Sequence, residues 1–427
     1  MAIAFDLDPA AAARVRRQLG LGSERLTKLF VLDTPGLEHR AAPLLSAEDP
    51  GQGLLTAVIA ITLSQSERPD GVRLERSSLI AGGQTAERLT LFVPRSQAIP
   101  MRSNLADAEP VPVLAIDDVA VGYRLLAKES WHPRKAMPLE VSPDLPLNRF
   151  VACLLRNVRE HLVAQLLPLV REGRIEAIHQ ARVSLRRLRA GLALIGRLVD
   201  AGQSDAVREK ARLLAGIMGR TRDWDVFLTE TLPDAQGAIP GESGWPYLKD
   251  YGTLQRRAEW TLLARTVGGP MMLELVLALD GWADHLDRGL PDTRRIGEVL
   301  PQLIDKRWRR VKARGRKFDE LPVVERHNLR IEIKKLRYLV DFSKSILSKS
   351  SVEDWRPVLS DLQDGLGRLN DGATARMLLQ GALQGLNHDG AYGAGLLVGW
   401  LEARAMGLQP PLGAHWQRLK SLKSPAR

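Results

Sequence analysis

The period of the hydrophobic pattern changes near residue 142. Before that point the apolar residues come in short runs separated by turn residues: LTKLFVLDTPG, LLTAVIAITL, GVRLERSSLI, ERLTLFVP and VGYRLL. Runs of this length, rich in β-branched residues and broken by Gly82-Gly83 and the Pro94 to Pro100 stretch, predict an antiparallel sheet or barrel with a few helices. After the proline-bearing SPDLPLN at Ser142 to Asn148, apolar positions recur every three or four residues in long segments such as FVACLLRNVREHLVAQLLPLV and DAVREKARLLAGIMGR. That periodicity predicts helices throughout. The chain therefore reads as α+β in two domains, a β-rich one over 1–142 and an all-α one over 143–427.

Within the helical part, HQARVSLRRLR (His179 to Arg189) separates into two faces at 100° per residue. Ile178, Ala181, Leu185, Leu188 and Leu192 form an apolar stripe, beside which His179, Arg182, Arg186 and Arg189 make a polar face. The pattern returns 148 positions later as HNLRIEIKKLR, where His327, Arg330, Lys334, Lys335 and Arg337 match His179, Arg182, Arg186, Arg187 and Arg189. GRTRDWDV at Gly219 to Val226 matches GRLNDGAT at Gly367 to Thr374 at the same offset, and Arg159 precedes its histidine by as many positions as Arg307 precedes His327. An internal duplication follows, dividing the region into about 143–290 and 291–423. Cations stacked three and four apart repel one another, so these faces call for an anionic partner or for internal salt bridges to residues such as Glu176, Glu332 or Asp223. The repetition of the whole pattern favours an anion site.

Charge is distributed to match. Residues 1–142 carry 16 Lys+Arg against 17 Asp+Glu, leaving 45 against 33 beyond them, so the net charge of +11 lies entirely in the helical part. A basic half beside a neutral half implies a polyanionic partner. Lys306, Arg307 and Arg310 add cations to the second copy that the first lacks around Arg159, which predicts an asymmetric site.

The paired H-x-x-R-[VI]-x-x-[RK]-[RK]-x-R helices, each followed by G-R-x-x-D, resemble the CHAD family of conserved-histidine α-helical domains over about 143–423. The resemblance implies two pseudo-twofold-related four-helix bundles and the binding of inorganic polyphosphate in a basic groove, without catalysis or cofactor. It also implies a link to intracellular granules storing polyphosphate or polyhydroxyalkanoate. It assigns the binding role to His179, Arg182, Arg186, Arg187 and Arg189 and to His327, Arg330, Lys334, Lys335 and Arg337; the duplication adds Arg159, Lys306, Arg307 and Arg310. The first 142 residues resemble the CYTH, or triphosphate-tunnel, domain more faintly, through LFVLDTPGLEHR and DDVAVGYRLL. That family's opening E-x-E-x-K strand is replaced by AIAFDL, and Asp118 and Val121 stand where a later strand carries Lys and Arg. A degenerate, non-catalytic CYTH-like barrel is the expectation, since a tunnel without its carboxylates would not hold a divalent ion.

Other functions fit less well. His179 and His327 sit among cations that oppose metal binding, and no metal site is expected. Asp223 and Asp371 lie beside arginines and are read as orienting them. A phosphohydrolase needs a metal site or a nucleophile with its base, and neither is evident. A nucleic-acid binder needs stacking surfaces or a reading element, and the aromatic content is 5%. The one cysteine, Cys153, fits a reducing compartment, and the start lacks the order of a signal peptide, so a cytoplasmic location is expected, with no membrane span.

Overall fold

The computed structural model describes residues 133–382 and 385–425, together with the backbone of five strands in the preceding segment. These are β1 (Ala2–Asp6), β2 (Ala42–Pro43), β3 (Ala57–Glu67), β4 (Arg73–Ala81) and β5 (Gln84–Phe92). They form one sheet in the order β1-β5-β4-β3-β2, antiparallel at every pairing. Ala81 pairs with Gln84, and only Gly82-Gly83 separates them, the dipeptide type that tight hairpins favour. Pro43, which has no N–H to donate, sits in the edge strand β2. Three of the expected strand runs coincide with β3, β4 and β5, and AIAFDL contains β1. The runs LTKLFVLDTPG and VGYRLL lie outside the described residues.

From Leu147 onward the regular elements are helical. The first are α1 (Leu147–Val163), α2 (Leu166–Glu172) and α3 (Ile175–Gly191). α2 stops because Gly173 adopts φ 58°, and its N–H and that of Arg174 close back onto the carbonyls of Leu169 and Pro168. α3 runs on through a π-helical turn, Leu192–Gly196, until Asp200 caps α4 (Ala201–Val226) by accepting from the Gln203 N–H. Another π-helical turn, Phe227–Thr231, leads into α5 (Leu232–Ala238), followed by α6 (Gly244–Gly268) and α7 (Pro270–Arg288). The second half comprises α8 (Ile296–Arg314), α9 (Val323–Phe342), α10 (Lys349–Ala382), α11 (His388–Gly407) and α12 (Gln409–Ser421). α3 and α9, and likewise α4 and α10, begin 148 positions apart, so the repeat seen in the sequence extends to whole elements.

Two stretches with the composition of a loop and of a basic tail are helical in part. ETLPDAQGAIPGESGWP is helical over its first half, where α5 follows directly on the π-helical turn with Pro233 in its first turn. The basic tail HWQRLKSLKSPAR begins inside α12, anchored by Trp416, which is 1% exposed and stacks on Phe318.

Backbone contacts group the chain into two compact units, one containing Arg159–Ala181 and Leu262–Leu277, the other Ala136–Val158, Arg182–Thr261 and Ala278–Arg427. In the first, His161 Nε2 lies 3.2 Å from Gln180 Oε1, and Gln180 in turn donates to Glu176. In the second, the predicted stripes are buried: Leu185, Leu188 and Leu192 on the α3 side, and Leu329, Ile333, Leu336 and Val340 on α9, are all fully covered. Burying the apolar stripe of each helix fixes its rotation and so determines where its cations point.

Candidate functional site

Arg182 and Arg186 stand four residues apart on α3, as do Arg330 and Lys334 on α9, so each pair shares a helix face. All four side chains are half-buried, and their charges act on one another. Burial and then the nearby Arg330 and Arg186 charges push the Lys334 ammonium down to a pKa of about 7. Burial lowers Arg330 as well, with Arg186 adding to the effect. Arg182 is depressed by burial and by its neighbours Arg186 and Arg222. Four repeat-equivalent cations, two from each copy, thus meet in one partly dehydrated cluster.

The counter-charges are repeat-equivalent too. Asp223 near the end of α4 supports the Arg182 charge, and Asp371 on α10 supports that of Arg330. Both carboxyls titrate above the usual range because they are buried, and Asp371 raises Asp223 further by its proximity. Two acids whose ionisation is itself penalised leave the cations incompletely neutralised. Among the described residues, buried Arg182 Nη1 and Arg186 Nε have no hydrogen-bond acceptor.

Several of the other basic positions meet partners of their own. Arg187 donates to Asn157 Oδ1 at 3.0 Å and lies over the Phe342 ring, 5.8 Å from its centroid. Its charge reaches Asp341, which Arg356 approaches to 3.3 Å and Arg337 to 3.9 Å. Arg189 faces the Arg208, Arg212 and Glu209 charges. Arg307 and Lys335 converge on Glu332, Lys335 at 2.9 Å. Lys306 and Arg310 are exposed on α8. Arg159 on α1 and His179 on α3 are half-buried, and His327 is exposed in the first turns of α9.

Beside the cluster lies a cleft of about 780 Å³, lined by His327, Arg330 and Asp371 together with Arg326, Arg368 and aliphatic residues of α10 and α11. Arg222 and Arg326 were not singled out in the sequence, and Arg368 only as the repeat partner of Arg220. Arg222 and Arg368 lie within the G-R-x-x-D segments, and their neighbourhood to Asp223 and Asp371 was the available signal. The described residues include no group of three or more His, Cys, Asp or Glu side chains placed to hold a metal ion. No single described helix is long and apolar enough to cross a membrane.

Comparison with curated proteins gives no significant match. Among solved structures, the chain is similar to the CHAD domain from the plant Ricinus communis, at 24% identity and a TM-score of 0.62, over 69% of this chain and 99% of that one. It is also similar to PptA from Streptomyces chartreusis, at 16% identity and a TM-score of 0.51, over 64% of this chain and 99% of that one. These likenesses show a shared helical fold. The CHAD domain profile matches residues 153–380, more than half of the chain, from within α1 to near the end of α10 and so including the cation cluster, and the chain belongs to the CHAD domain family.

Proposed function

We propose that the chain binds inorganic polyphosphate without chemical change, holding the polyanion against the faces of α3 and α9 that carry Arg182, Arg186, Arg330 and Lys334. The observation that carries this reading is the depressed Lys334 ammonium. A lysine brought to about 7 by burial and by three arginines marks a site where positive charge has been concentrated beyond what its own acids balance. A phosphate chain supplies closely spaced negative charge without needing a shaped pocket for a base. Arg187 and Arg337 around Asp341, and Arg307 and Lys335 around Glu332, extend the basic surface at a lower density of uncompensated charge.

Nucleic acid is the weaker partner. Trp308, the one tryptophan interleaved with a cationic run, is 4% exposed and packs edge-on against Trp355 at 4.9 Å, where no base can stack on it. Hydrolysis is the weaker reading, because the two half-buried aspartates of the cluster are drawn to its cations, as groups that orient them would be. The β-rich 1–142 is read as a degenerate CYTH-like domain ahead of a helical domain over 143–427, and AIAFDL argues against activity. A cytoplasmic site on polyphosphate or polyhydroxyalkanoate granules completes the proposal.

The test is titration of the full chain with long-chain polyphosphate. Binding that is lost on reversing Arg330 and Lys334 to Glu, with the polymer recovered at its original length, supports the proposal. Retained binding in that variant, or shortening of the polymer, contradicts it.

A further inference from the structure

The cleft of about 780 Å³ falls within the roughly 300–1,000 Å³ of small-molecule sites. Its walls are not what a bare phosphate chain requires. Leu366, Leu369, Met377, Leu401, Met406 and Leu408 line it, and no Phe, Tyr or Trp does among the described residues. Met377 and Met406 are 66% and 71% exposed, an unusual cost for two large apolar side chains at one mouth. Aliphatic and thioether walls without Phe, Tyr or Trp suit a flexible hydrocarbon chain better than a planar base.

The polar groups of the cleft are just as selective. Three of its four acids are matched by arginines: Glu230 by Arg222 at 3.1 Å, Asp234 by Arg404 at 2.7 Å, and Glu402 by Arg376. The fourth, Asp371, is drawn towards Arg330 and Lys334. That leaves the side chains of Arg368 and His327 with no ion pair or hydrogen bond among the described residues, and that of Arg326 with only a 3.4 Å contact to the Asp319 carbonyl. Unmatched positive charge thus lines the same cleft as an aliphatic surface.

We infer that this cleft binds an amphiphilic anion, a single aliphatic chain ending in a carboxylate or phosphate, with the chain along Leu369, Met377 and Met406 and the head at Arg368 and His327. The site goes beyond the polyphosphate reading and does not rest on it, although the two share Arg330. Fatty acids and single-chain lipid phosphates both have this chemistry.

The test titrates the full chain, below micelle formation, with dodecyl phosphate, laurate, neutral dodecyl maltoside and tripolyphosphate. One or both anionic amphiphiles should bind roughly tenfold more tightly than the maltoside, and whichever binds identifies the head group. Replacing the exposed pair, Met377→Gln with Met406→Gln, should weaken amphiphile binding roughly fivefold and leave tripolyphosphate binding within about twofold. Arg368→Gln should weaken the anionic amphiphiles and not the maltoside. Equal binding of the maltoside, no binding of either anionic amphiphile, or indifference to the methionine pair overturns the inference. Loss of tripolyphosphate binding alone counts against the polyphosphate proposal and leaves this one standing.

Discussion

Gly219 on α4 stands so close to Arg182 that a Cβ there would come within 2.7 Å of the guanidinium Nη1. The glycine lets the arginine lie flat against the helix, beside Asp223 one turn further on. Its repeat partner Gly367 has nothing within 4 Å of the equivalent point, so one copy uses the missing side chain and the other does not.

Both Gly219→Ala and Gly367→Ala should fold, since alanine favours a helix interior by about 0.5–1 kcal/mol over glycine. Only Gly219→Ala should cost polyphosphate affinity, by a few-fold, because the displaced group is the end of Arg182. Thermal melts paired with binding isotherms check this, and equal affinity in the two variants would show that the position of Arg182 is unimportant.

Lys334 should make both stability and binding depend on pH. Its ordinary value of 10.5 falls to about 7 in the folded protein, so between those limits the unfolded chain holds the extra proton and stability rises with pH. Below pH 7 the penalty is fully present, and Lys334→Met should therefore stabilise the protein most at pH 6 and least near pH 10. A polyanion reverses the preference by favouring the ammonium. Binding at pH 8.5 should take up close to one proton, measurable by calorimetry in buffers of different ionisation enthalpy, and Lys334→Arg should abolish the uptake.

The exposed cations of α8 should matter little. Lys306→Ala with Arg310→Ala is expected to change polyphosphate affinity by no more than about threefold, as for exposed charges screened by salt. Arg330→Ala with Lys334→Ala, or the matching Arg182→Ala with Arg186→Ala, should each cost more than about tenfold. A larger loss from the α8 pair would restore the asymmetric site that cation counting predicts.

Glu332 is 8% exposed and joins Arg307 to Lys335. Burial pushes its carboxyl up, but hydrogen bonds from Lys335 and Arg307 outweigh that and hold it below the usual range. Its contribution is therefore present at neutral pH and lost as pH falls through the folded-state value. Glu332→Gln should destabilise by roughly 1.5–3 kcal/mol at pH 7, the range for charge-assisted hydrogen bonds, with the difference shrinking in acid. Denaturant titrations at pH 7 and pH 3 decide it.

Much of this was legible in the sequence, because a helix period fixes which residues share a face. The apolar stripes through Leu185 and Leu336 are buried as their spacing requires, and the repeat aligned Arg182 with Arg330 and Asp223 with Asp371 before any geometry was known. Periodicity says nothing about which neighbour a cation meets. Arg187 and Lys335 occupy equivalent positions, yet one lies on Phe342 and the other on Glu332, because residue 184 of the first copy is a serine where the second has Glu332. The helical character of α5 was hidden by its proline, which is harmless in a first turn. The cleft was invisible because its walls come from helices far apart in the chain.

The central claim is that converging, underneutralised cations select a phosphate polymer by charge density. It is tested most directly by titrating the full chain, in the same salt series, with long-chain polyphosphate and with single- and double-stranded DNA of matched total charge. The account predicts tighter binding of polyphosphate throughout, with log K falling linearly against log salt at a slope on the order of −4 to −7, the scale of counterion release for roughly 6 to 8 contacts. The slope should flatten by about one to two in the Arg186→Ala, Lys334→Ala variant. Equal affinity for DNA at matched charge, or binding of polyphosphate that is insensitive to salt, would contradict it.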